Sequence, residues 1–131
     1  MKEYAFRLKK GQDLKKSICD YCCEHRINTA VVVSSVGCLD AYKLRLAKAK
    51  SYLEKAEDVE ILSVNGTISN GKAHLHLGVA DEYGNCVGGH MCEGCIVNTT
   101  CEVVLLELED YTSSRTFDEN TGYDEIAFER K

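Results

Sequence analysis

Between Val64 and Met91 the chain alternates and turns in a pattern that an antiparallel meander satisfies and a helix does not. Asn70-Gly71 separates two alternating runs, and a type I′ turn needs positive φ at both of its central residues, which Asn-Gly supplies. Asp81 to Asn85 provides the next turn, with Gly84 free to take a left-handed conformation. Between these turns residues 72–80 alternate strictly. Ala73, Leu75, Leu77 and Val79 share one face, while Lys72, His74, His76 and Gly78 share the other. His74 and His76 therefore project side by side from the face that lacks the apolar row. His90 follows Gly88-Gly89 on the next expected strand, so three of the four histidines converge on one sheet surface.

The rest of the chain supports a mostly antiparallel sheet with one main helix. Residues 3–8 alternate, Tyr4, Phe6 and Leu8 against Glu3, Ala5 and Arg7, and read as a first strand that Gly11 breaks. From Asp13 to about Arg26 the spacing turns helical, with Leu14, Ile18, Tyr21, Cys22 and His25 in one stripe and Asp13 placed for an N-cap or first-turn role. Thr29–Val36 is a continuous β-branched run, read as a strand buried on both faces and ended or bulged by Gly37. Leu39–Leu46 alternates and is expected as a hairpin partner, and Ala47–Asp58 as a loop or short helix. Val59–Ile68 is a strand leading into the meander. Ile96–Leu108 is the last strong strand, apolar on both faces from Val103 to Leu106, so that Glu102 within it must be paired or change its pKa. Residues 111–122 are polar and turn-rich, and Tyr123–Phe128 is a short edge strand. The expected fold class is α+β, sandwich-like, with about seven strands.

At 131 residues, 44% apolar and 28% charged, the chain is expected to be one globular domain, residues 1–131. No apolar run is long enough to span a bilayer, and a polar start (Met-Lys-Glu-Tyr) gives no secretory signal, so the cytoplasm is the expected compartment. There the eight cysteines are thiols, core fillers or metal ligands, rather than a disulfide framework. A net charge of −5 without a Lys/Arg run gives no electrostatic support to nucleic-acid binding.

Three patterns are candidates for chemistry. His74, His76 and His90 offer imidazole nitrogens that zinc and related divalent ions accept, leaving a fourth position open; the alternative is that they are solvent-facing or hydrogen-bonded. The pairs Cys19/Cys22 and Cys92/Cys95 have Cys-x-x-Cys spacing. The first lies within the expected helix, with Cys22 on its apolar stripe, and core packing is the favoured reading of both. Gly66-Thr-Ile-Ser-Asn-Gly71-Lys72-Ala73 approaches a phosphate loop, but Ala73 replaces the hydroxyl and a strand follows instead of a helix, so it is rejected. No catalytic residue is assigned by a recognisable nucleophile motif.

The ordered set of His74-Leu-His76, Gly88-Gly-His90 and Thr100-Cys-Glu-Val-Val-Leu105 resembles the plants-and-prokaryotes conserved (PPC) domain. Gly11-Gln-Asp-Leu14, Ser34-Ser-Val-Gly37, Leu44-Arg45, Val59-Glu-Ile-Leu-Ser63 and Asn65-Gly66-Thr67 extend the likeness nearly from end to end. The resemblance implies a trimer, and it implies that the three histidines lie near a subunit boundary and hold a metal. The family also carries a DNA-binding-like label, which in plant relatives rests largely on an AT-hook; here there is no Arg-Gly-Arg-Pro core. The function expected is a homotrimeric binding or regulatory protein with a three-histidine zinc-like site and a small-molecule ligand. The alternative is a small metal-dependent enzyme with Glu102 or Arg45 beside the metal.

Overall fold

A computed structural model describes all residues 1–131. The elements are β1 (Lys2–Lys9), α1 (Leu14–Glu24), β2 (Thr29–Arg45), a 3-10 turn (Ala47–Ala49), β3 (Tyr52–Lys55), β4 (Val59–Ser69), β5 (Lys72–Ala80), β6 (Cys86–Met91), β7 (Ile96–Glu107), β8 (Tyr111–Asp118) and β9 (Tyr123–Arg130). Strands β1 to β7 form one sheet in the order β1-β7-β2-β4-β5-β6 with β3 on β2, and β8-β9 is a separate hairpin.

The meander is as its turns dictate. Asn70 and Gly71 have φ of 49° and 74°, and Gly84 has φ of 81°. The Asp81 carboxylate accepts from the backbone N–H groups of Tyr83 and Asn85, each at 2.9 Å, which closes the second turn. The helix begins where Asp13 accepts from Lys16 N–H at 2.9 Å. It buries Leu14, Ile18 and Cys22, stacks Tyr21 on Phe6 with centroids 3.9 Å apart, and ends at His25, whose ring stacks on Tyr21.

Four expectations are corrected. Nine strands form, not seven, and the sheet is not a sandwich. Strand β2 pairs with β4 and β6, β4 with β5, and β5 with β6, so these four close on one another. Thr29–Val36 and Leu39–Leu46 are not hairpin partners but one continuous strand. The register shifts at Gly37, where an added Cβ would lie 2.1 Å from the Thr100 carbonyl oxygen. Strand β2 stays paired with β7 from Ala30 to Ala41 across this and two further register shifts, and such bulges bend the strand so that its last residues, Leu44 and Arg45, reach β6. The segment 47–58 contains β3 on the edge of β2. Finally, β7 lies between β1 and β2 as a central strand, but only its Val97, Cys101, Val103 and Leu105 face is buried. Glu102 points to the other face and is exposed, opposite Arg7 and Val36, so it is not a carboxylate enclosed in an apolar strand.

A single cluster of 23 buried residues fills the closed sheet and the space under α1, with Leu39, Tyr42, Leu44, Leu75, Leu77, Val79 and Met91 among them. Removal of such side chains from water drives folding. The C-terminal hairpin is pinned to the sheet at Ser113. Its hydroxyl bonds those of Thr29 at 2.7 Å and Ser69 at 2.8 Å, its N–H donates to Asn28 Oδ1, and its carbonyl accepts from Asn70 Nδ2. No helix is long and apolar enough to cross a membrane.

Candidate metal centre

Sheet register assembles the three histidines. On β5, period-2 geometry puts His74 and His76 on the same outward face, and His90 on β6 lies directly opposite His76. On the far side of β6, Arg45 of β2 lies directly opposite His90. One row across three strands therefore reads His76, His90, Arg45. The row depends on Gly89: a Cβ there would meet the Arg45 carbonyl oxygen at 2.8 Å, so only glycine lets β6 sit this close to β2.

The rings lie with centroids 5.2 Å (His74–His76), 5.4 Å (His74–His90) and 5.9 Å (His76–His90) apart. One ring nitrogen from each lies within 4.8 Å of the others. Nitrogens bound at zinc distances in a tetrahedral site stand about 3.3 Å apart. Two of the rings, His74 and His76, are exposed and have side-chain freedom to close that gap.

The electrostatics favour the neutral, ligating form. Burial, reinforced by Arg45 and Lys15, pushes the His90 imidazole down to about 4. Burial, then His76 and Arg115, also lowers His74. Uncharged imidazole offers a lone pair to a metal at neutral pH. His90 Nδ1 is buried and has no hydrogen-bond partner in the protein. A buried polar atom left so is costly unless something else occupies it, and a metal ion is one such occupant. The residues present therefore fit a divalent ion. Bound there, it would supply a Lewis-acidic centre with a coordination position open to a ligand.

Neither Cys-x-x-Cys pair joins a metal cluster; the three histidines are the one group of potential ligands brought together. Cys22 is fully buried and burial pushes its thiol up to about 12, while the buried Cys95 is pushed up to about 11. His25 is the helix C-cap and bonds Tyr21 O at 2.9 Å, far from the cluster in function. Of the two residues expected beside the metal, Arg45 is there and Glu102 is not, because β7 carries it on the other side of β2.

Two cavities flank the cluster. One, of about 450 Å³, is lined by Arg45, His74, His90 and the hairpin residues Arg115, Tyr123 and Glu125 among others. A second, of about 530 Å³, lies against His76, Gly88 and Gly89 and shares Arg45, His90 and Tyr123 with the first. Sequence patterning did not signal that Arg115 and Tyr123 reach the histidines, since nothing local specifies where the hairpin docks.

The model of the Plants and Prokaryotes Conserved (PCC) domain, the domain named PPC above, matches residues 1–109. A protein of Synechococcus sp. (strain JA-3-3Ab) named bifunctional protein GlmU is 38% identical over 130 residues, which is 99% of this chain and 21% of that protein. This chain thus spans about a fifth of the length of that relative. Among solved structures, a hypothetical protein from Salmonella cholerae-suis has a TM-score of 0.94 at 35% identity, over 99% of this chain and 94% of that one. A candidate DNA-binding protein from Bacteroides thetaiotaomicron has a TM-score of 0.86 at 25% identity, over 98% and 93%. A metal-containing protein from Archaeoglobus fulgidus has a TM-score of 0.80 at 29% identity, over 97% and 94%. This chain belongs to the PCC domain family.

Proposed function

We propose that this PCC-domain chain is a homotrimeric binding or regulatory protein that holds zinc or a similar divalent ion on His74, His76 and His90. The observation that carries the reading is the convergence of three ring nitrogens within 4.8 Å around a His90 whose Nδ1 is buried and unpartnered. Similarity to the metal-containing protein of Archaeoglobus fulgidus supports it. A cytoplasmic setting is supported by eight free cysteines, the form expected where thiols stay reduced.

The trimer is supported by the face of β2 and β7 turned away from the core. Val36 is 53% exposed there, with Val31, Val104 and Leu106 half-buried beside it. An apolar surface of this kind marks a contact with another chain. Light scattering at micromolar concentration should give three chain masses, and a mass of one chain would refute the trimer.

A second reading, a small metal-dependent enzyme, is favoured by one observation: the cavity of about 450 Å³ on the open side of the histidines. DNA binding is supported by the likeness to the Bacteroides thetaiotaomicron protein, but a charge of −5 opposes it and trimerisation would multiply that charge. The test of the metal reading is calorimetric titration with zinc at neutral pH. His74→Ala, His76→Ala or His90→Ala should abolish stoichiometric binding and His25→Ala should preserve it. Equal binding by all four variants would overturn the assignment.

A further inference from the structure

The hairpin β8–β9 lies beyond residues 1–109, the part that the family model matches, yet it walls the cavity beside the histidines. Its placement is not loose. Ser113 is 6% exposed and locked by four hydrogen bonds to the sheet, and Arg115 follows two residues later on the same strand face. The guanidinium of Arg115 is thereby carried to the cavity. Its Nη1 makes a long contact of 3.4 Å to the Asp124 carbonyl, while Nη2 is buried without any partner. Arg45 enters from the opposite wall and is held over the Tyr123 ring, 5.5 Å from its centroid.

Neither arginine is neutralised. The three ion pairs of the chain involve other residues, and the Asp124 and Glu125 carboxylates at the cavity rim pair with neither guanidinium. Lys72 lines the same cavity. A chain with a net charge of −5 thus concentrates three unpaired cations around an opening beside the histidines. A buried guanidinium N–H without an acceptor carries a desolvation cost, and a planar fork of donors matches the two oxygens of a carboxylate or phosphate.

We infer that this cavity is an oxyanion site, in which Arg45 and Arg115 clamp a carboxylate or phosphate group of a small ligand whose remainder lies against Tyr123. The site is built from the family's sheet on one side and from this chain's C-terminal hairpin on the other, so the hairpin is the specificity element. The inference deepens the metal reading, since the clamped oxygens face the open side of the histidines, but its arginines act without the ion.

The test uses the full chain, stripped of metal and separately loaded with zinc, titrated with inorganic phosphate and with oxalate at neutral pH and followed by NMR of the tyrosine and arginine side chains. Metal-free protein should bind at least one of the two anions with shifts confined to Tyr123, Arg45 and Arg115, and phosphate against oxalate separates the two ligand chemistries. Arg115→Gln and Arg45→Gln should each weaken binding about tenfold or more, the loss expected for a charge-assisted pair. Arg115→Lys, which keeps charge but loses the fork, should recover only part, and Arg130→Gln at the hairpin end should bind as wild type. Anion binding by metal-free protein that survives His76→Ala would uphold this site even if the wild type bound no zinc and the metal reading fell. Failure of both anions to bind metal-free protein, whether or not zinc-loaded protein binds them, or unchanged affinity in Arg115→Gln and Arg45→Gln, would overturn the inference.

Discussion

Replacing Ser113 by Ala tests whether the hairpin is held where the cavity needs it. The Ser113 hydroxyl sits between those of Thr29 and Ser69, which are each 1% exposed. Thr29 keeps its bond to Asn28 Oδ1 at 2.6 Å, but Ser69 Oγ has no other partner within the protein. The substitution therefore leaves one buried hydroxyl orphaned, a cost of about 1–3 kcal/mol. The backbone bonds of Ser113 to Asn28 and Asn70 persist, so the hairpin should loosen instead of detaching. In urea unfolding the midpoint should fall with the slope unchanged, and amide exchange should quicken most in β8 and β9. Ser69→Ala added to Ser113→Ala should cost little more or restore stability, because it removes the orphan, and that non-additivity is the signature of the pair. A loss below about 0.5 kcal/mol, the level of an ordinary surface change, or strictly additive losses would refute the reasoning.

Gly89→Ala would place a Cβ 2.8 Å from the Arg45 carbonyl; it should destabilise the fold by about 1–3 kcal/mol, as overpacking does, and weaken zinc binding, both measured on one sample. Replacing Cys19 and Cys22 together by Ala should lower stability by about 1–2 kcal/mol through lost packing, with zinc content unchanged by elemental analysis; loss of zinc would show that thiols ligate. His90 is held at about 4 in the folded chain, below its ordinary value, so the unfolded chain takes up its proton first as pH falls. The stability of metal-free protein should therefore be intact above about pH 6.5, decline between about 6.5 and 4 and change no further from this group below that. Full conversion would be about 3 kcal/mol; water reaches part of the ring, so about 1–2 kcal/mol is expected, and an identical pH profile in His90→Gln would contradict it.

The histidine cluster was legible because it follows from two local rules, a period of two along a strand and an Asn-Gly turn that sets the β4–β5 register. Together with Gly88-Gly89 these carried His74, His76 and His90 to one face. Asp13 as N-cap and the apolar stripe of α1 were legible for the same reason. The closure of the sheet was not, because it depends on where β2 bends at Gly37, and an alternating run looks the same whether it continues a strand or starts a new one. Glu102 was misplaced for a related reason: Val104 and Leu106 are as apolar as Val103 and Leu105, so the sequence does not separate a buried face from an apolar surface. Arg115 and Tyr123 were visible only as parts of a polar segment, since the Thr29, Ser69 and Ser113 hydroxyls that dock the hairpin come from three distant strands.

The most direct test of the metal centre is elemental analysis of purified protein after incubation with zinc and removal of the excess, with the molar mass in solution measured on the same sample. The account predicts one zinc per chain in a particle of three chains, and none in His76→Ala, which should retain the fold. Wild-type protein that keeps its fold but carries no zinc, and binds none tighter than millimolar when titrated, would contradict it.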